Sequence, residues 1–191
     1  MAFITDGGGN VTSFAEYTDV LQKDQRLLEA NEIVVPDESG FIDKTDFIED
    51  MLTKSTDRIL LKIKASTWWQ AYNNYVGNSI NDLNNIPNVN PTLIDPGDAL
   101  GRQQQFTDMC VYYCFAQYLL PLVADFGNEE SPTFQKINYY DAKFTDIFNE
   151  LISIADWYDY DNSGTVDADE KAVTYFQTRR TRRRASVVKI R

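Results

Sequence analysis

Between Phe134 and Ala155 the apolar residues Phe134, Ile137, Phe144, Ile147, Phe148, Leu151 and Ala155 recur at steps of three, four and seven. A stripe with that period, sustained for about six turns, would scatter over both faces of a strand but gathers on one face of a helix. Ahead of it, Ser131-Pro132 sets a capping hydroxyl before a proline at the first helical position, where the missing N–H costs nothing. The spacing predicts a helix over 131–158.

Two more windows behave alike. Over 43–64, Phe47, Met51, Ile59 and Ile63 share helical spacing beside Ile48, Leu52 and Leu60, with Asp43 or Thr45 able to cap the start. Over 98–126, Phe106, Met109, Cys110, Tyr113 and Leu120 share a face, and Pro121 predicts a kink. Shorter helices are expected from Thr18, as N-cap, to about Asn31, and after Ser66-Thr67 through Trp68, Trp69, Tyr72 and Tyr75 to Gly77. The aromatic cluster reads as core or subunit packing, with a ligand-stacking platform as the rival. No convincing strand pair stands out.

The expected fold class is therefore mainly α. It is a helical bundle with a long Asn/Pro-rich loop, an EF-hand-like loop near the C-terminus and an extended basic C-terminal arm. The expected organisation is a lead-in over 1–40, turning at Gly7-Gly8-Gly9-Asn10, a bundle over 41–177 and an arm over 178–191. Residues 78–97 hold Pro87, Pro91, Pro96 and Gly97 among many Asn, a loop longer than compact domains usually keep without a purpose.

Histidine is absent from all 191 residues, so this chain cannot hold a Ser-His-Asp or Cys-His centre, nor a zinc site that uses imidazole. Catalysis by paired carboxylates survives that test, yet no such constellation appears beyond the calcium-like loop described below, and no enzyme is expected. Cys110 and Cys114 lie one helical turn apart, a poor geometry for a disulfide, and read as two buried thiols. A metal half-site would need a CxxC or a histidine partner. The first residues lack the basic and apolar regions of a signal peptide, and Cys110 to Ala124 is too short and interrupted to span a bilayer. A soluble, intracellular product is expected.

Residues 159–170 read Asp-Tyr-Asp-Asn-Ser-Gly-Thr-Val-Asp-Ala-Asp-Glu. This matches the EF-hand calcium loop, with Asp159, Asp161 and Ser163 at positions 1, 3 and 5, Gly164 at 6, Thr165 at 7 and Glu170 at 12. Calcium takes six to eight hard oxygens, and side chains spaced by two on a tight loop converge to supply them. Asp167 stands where a water-mediated ligand is usual, and Val166 where paired loops make an apolar contact. A short helix over 168–177 would complete the unit. The loop would take one calcium ion, bind it weakly or structurally, or turn a corner without metal, since no second loop partners it in the chain. No cofactor is otherwise required.

Charge is divided unevenly. The last 13 residues carry Arg179, Arg180, Arg182, Arg183, Arg184, Lys189 and Arg191, whereas residues 1–178 carry 11 basic and 29 acidic side chains, a net of −18. Alone, such an arm is expected to be disordered. Val187, Val188, Lys189 and Ile190 have strand-like composition, so the arm can add an edge strand to another protein while its arginines meet carboxylates. Phosphate binding by the arginines is the rival reading.

Taken together, the amphipathic helix Asp43 to Lys64 running into Trp68-Trp69, the long loop, two long helices, the Asp159 to Glu170 segment and the arginine-rich arm resemble the head–tail adaptor (connector, or head-completion) proteins of tailed bacteriophages. The resemblance spans about Phe41 to Arg191 and rests on the order of parts. It implies a structural virion protein of the head–tail neck, assembled in the host cytoplasm. Such proteins form a homo-oligomeric ring, usually of twelve copies, between the portal protein and a tail-side neck or stopper protein. The ring extends the channel through which DNA passes without specific binding, no membrane is involved, and the arm Arg179 to Arg191 embeds in the portal. The EF-hand-like loop is a departure, because adaptor function does not require it. The alternative is a calcium-binding, EF-hand-like interaction module in which the loop orders the arm.

Overall fold

The computed structural model describes residues 3–5, 11–25, 43–69, 97, 99, 101–127, 131–159 and 163–166. Helices dominate them: α1 Tyr17–Lys23, α2 Lys44–Ala65, α3 Gln103–Cys114, α4 Leu120–Val123 and α5 Pro132–Ile154. Between α3 and α4 lies a π-helical turn, Phe115–Leu119. Two short strands, β1 Ile4–Thr5 and β2 Val11–Ser13, pair antiparallel. The chain divides into two compact units, residues 1–60 with 102–150, and residues 61–101 with 151–191.

The strand pair corrects the expectation that none exists. Its two segments are too short to show an alternating pattern, and what holds β2 is tertiary. In the first unit Phe14, just past β2, is buried with its ring against Phe3 and Phe106. Its backbone N–H donates to Thr56 Oγ1 of α2 at 3.1 Å, and its carbonyl accepts from Thr107 Oγ1 of α3 at 2.8 Å. Two helices thus satisfy both backbone polar groups of a buried residue just beyond the strand.

Helix starts follow local chemistry. Asp43 caps α2, accepting from the Asp46 N–H at 3.0 Å, so Asp43 rather than Thr45 is the cap. Ser131 caps α5 through the Phe134 N–H at 3.2 Å, as its sequence position predicts. At α1 the cap is Glu16 and not Thr18. Asp19 Oδ2 accepts from the Glu16 N–H, while Thr18 Oγ1 donates to the Glu16 carboxylate.

Two expected boundaries move. The helix expected from 98 begins at Gln103, because Arg102 takes a left-handed backbone (φ 59°) that an α-helix excludes. It also runs only to Val123 rather than 126, and in place of a simple proline kink it widens. The Leu120 N–H reaches back to the Phe115 carbonyl, one residue farther than in an α-helix, immediately before Pro121, which has no N–H to give. The helix expected to 158 stops at Ile154, since Ala155 is also left-handed (φ 52°).

The core of the first unit gathers Ile48, Leu52 and Ile59 of α2 with Phe106, Met109, Cys110 and Val111 of α3 and Phe144 of α5. Tyr140 stacks on Phe115 and Tyr112, at 4.9 and 5.7 Å between ring centroids. Ion pairs Lys23–Asp108 (2.9 Å) and Lys136–Asp24 (2.6 Å) lie at its surface. Pairs so placed contribute at most about 1 kcal/mol each, against about 2–3 kcal/mol for each fully buried large apolar side chain, so burial decides the fold.

Candidate functional site: the turn at Asp159

The second unit positions the start of the calcium-like loop. Ser66 accepts from the Trp69 N–H at 3.3 Å and caps a short helical segment carrying Trp68 and Trp69. Both rings are buried, as are Trp157 and Tyr158. Ring centroids stand 4.5 Å apart for Trp68–Trp157, 5.7 Å for Trp68–Tyr158 and 6.5 Å for Trp69–Tyr158. Trp157 Nε1 donates to the Leu151 carbonyl at 2.9 Å, which also accepts from the Ala155 N–H at 2.9 Å, so one oxygen at the end of α5 takes two donors. Core packing therefore describes Trp68 and Trp69, whereas Tyr72 and Tyr75 lie outside the described residues.

Gly101 locks the same segment. Its N–H donates to the Trp157 carbonyl at 3.0 Å, and a Cβ there would come within 2.7 Å of the Asp156 carbonyl oxygen and Trp157 Cα. Only glycine allows that approach. In the sequence Gly101 gives one weak signal, a glycine just before a helical pattern.

Trp157 and Tyr158 deliver Asp159 into the loop with its side chain buried. Its two carboxylate oxygens accept from the Ser163 N–H at 3.2 Å and the Gly164 N–H at 2.8 Å. Gly164 has φ +86°, the left-handed turn that position 6 needs and a side chain would strain. Ser163 Oγ lies 2.9 Å from the Thr165 carbonyl oxygen. That separation is a hydrogen bond from the Ser163 hydroxyl to the Thr165 carbonyl, so the described part of the turn is closed by its own side-chain and backbone hydrogen bonds. Asp161 and Glu170, needed to complete the set, lie outside the described residues, as do Asp167, the helix over 168–177 and the loop over 78–96. Among the described residues no three His, Cys, Asp or Glu side chains gather as a metal group.

The other candidate residues separate clearly. Cys110 and Cys114 are free, buried thiols in the first unit. Burial pushes Cys110 up to about 12, against hydrogen bonds with Thr56, Ser13 and Phe14, and holds Cys114 well above its ordinary value. Neither is poised as a nucleophile or thiolate ligand. The arm residues Arg179, Arg180, Arg182, Arg183, Arg184, Val187, Val188, Lys189, Ile190 and Arg191 lie outside the described residues. Among the described residues no helix is long and apolar enough to cross a membrane. No family model, curated protein or solved structure matches this chain.

Proposed function

We propose that this chain is a structural virion protein, a subunit of a ring that joins the portal to the tail-side neck of a tailed bacteriophage, extends the DNA channel and anchors by its C-terminal arm. The observation that carries this reading is the division of charge over a mainly helical body: net −18 over residues 1–178, and seven cations in the last 13. Acidic walls repel a passing duplex, so DNA slides without sticking, while arginine forks suit carboxylates on a partner. Ordering the arm costs roughly 1–2 kcal/mol of backbone entropy per residue, which a partner offering carboxylates and an open strand edge offsets. The reading requires no catalytic centre and no cofactor.

Deleting residues 179–191 is expected to leave thermal melting nearly unchanged and to abolish docking to the portal, giving heads without tails. Particles completed by the truncated protein would overturn the anchoring role.

A second reading draws on the order of residues 159–170 and on Gly164, whose φ of +86° is the left-handed turn that position 6 of a calcium loop uses: a calcium-binding interaction module. Asp159, Asp161, Ser163, Thr165 and Glu170 would hold the ion, which supplies charge neutralisation and a fixed turn. Calorimetry with millimolar Ca²⁺, the weak end of the EF-hand range, should show heat that disappears in Asp159→Ala with Glu170→Ala. No heat in the unaltered chain would leave the loop a corner only.

A further inference from the structure

Outside the arm, the acidic body has one concentrated run of cations, on the second half of α2. Lys54, Arg58 and Lys62 follow one another at four-residue steps along one uninterrupted helix, so they share a face, with Lys64 nearby. All four are exposed, and Leu61 among them is 55% exposed. Asp57 is the single acid from 51 to 65, while Lys54 also meets Asp50 one turn back, at 2.6 Å.

The end of α5 presents the opposite pattern. Asp146, Glu150 and Ile154 also follow at four-residue steps, all three exposed, and Tyr139 lies two turns earlier, 55% exposed. No cation occurs from 144 to 159. Lys143, three residues before Asp146, leans over the Tyr139 ring at 5.7 Å from its centroid.

We infer that a second copy of this chain docks its acidic α5 face, Asp146 and Glu150, against the basic α2 face, Arg58 and Lys62. Leu61 and Ile154 supply apolar contact between the charged rows. The occupant follows from charge: bodies of net −18 repel wherever acidic surface meets acidic surface, and these two rows match in spacing and oppose in sign. The faces differ, so the contact is head-to-tail. Such an interface propagates from copy to copy and closes into a ring where the rotation allows, whereas a shared two-fold face would stop at a dimer. The inference rests on the ring reading and adds its subunit contact.

The test is charge reversal in the full chain, read by sedimentation velocity and native mass measurement. One variant carries Arg58→Glu with Lys62→Glu, the other Asp146→Lys with Glu150→Lys; melting checks that each is folded. Asp146→Lys alone is a milder variant that leaves Glu150 on Arg102 and Gln105. Each double variant should lose the assembled species, and the unaltered assembly should weaken with added salt. Mixing the two should restore assembly, because alternating copies then meet opposite charge at every contact. Assembly that survives both reversals, or fails to return on mixing, overturns this contact while leaving the ring reading standing. An unaltered chain that stays monomeric at every concentration and salt, alone and with the portal, overturns the ring reading and this contact together.

Discussion

Ala155 carries a backbone conformation that residues with a Cβ usually avoid. It follows the last turn of α5 with φ 52° and is buried, a place where helices more often use glycine. The methyl packs in the core of the second unit, which explains why alanine is tolerated. Ala155→Val should destabilise by about 2–4 kcal/mol, since a β-branched residue suits neither the left-handed region nor the space. Ala155→Gly should stay within about 1 kcal/mol, because relief of the backbone roughly offsets the loss of one buried methyl, worth about 0.8 kcal/mol. Thermal melts of both variants check the pair. Buried protons make a second prediction at this scale. Cys110 is raised from 9.0 to about 12 by burial, and Tyr140 from 10.0 to about 12 by burial, then Asp24 and the neighbouring tyrosines. The unfolded chain therefore releases these protons first as pH rises. Their stabilising contribution is whole below about pH 9 and is lost between there and pH 12. Urea titrations across that window should show stability falling with pH, and Cys110→Ala should flatten the lower part of the fall.

At the scale of elements, α2 and α3 act as a clamp on the N-terminal hairpin. Thr56 also stands 3.5 Å from the Cys110 thiol, so one hydroxyl joins the hairpin, α2 and α3. Thr56→Val keeps the shape but leaves the buried Phe14 N–H without its acceptor. A buried donor so stranded costs about 1–3 kcal/mol, more than a typical hydrogen bond contributes. Denaturant unfolding should show that loss, and hydrogen exchange should rise at Phe14 before it rises in α5. Equal protection at Phe14 in both proteins would mean the clamp is not what holds the hairpin.

For the whole molecule, long-range repulsion is the dominant electrostatic fact. Outside the arm the chain carries 29 acidic against 11 basic side chains, a net of −18. Compact, like-charged bodies gain from screening, so the melting temperature should rise as sodium chloride is raised toward about 0.15 M, where the Debye length is about 8 Å. A melting point that falls over that range would show that attractive pairs outweigh self-repulsion.

Much of the helical architecture was legible in the sequence, because three-four spacing and caps such as Asp43, Ser66 and Ser131 act within a few residues of themselves. The order of Asp, Ser and Gly from 159 to 165 likewise announced a tight turn, and the structure forms it through the Asp159 carboxylate. Tertiary structure decided what depends on distant neighbours. Phe14 finds its hydrogen-bond partners 42 and 93 residues away, at Thr56 and Thr107, so no local pattern could reveal the strand pair's anchorage. Gly101 is glycine because Trp157, distant in sequence, lies against its backbone. The left-handed residues Arg102 and Ala155 set the start of α3 and the end of α5 inside the expected spans, since periodicity records which face is buried and not where the chain must turn.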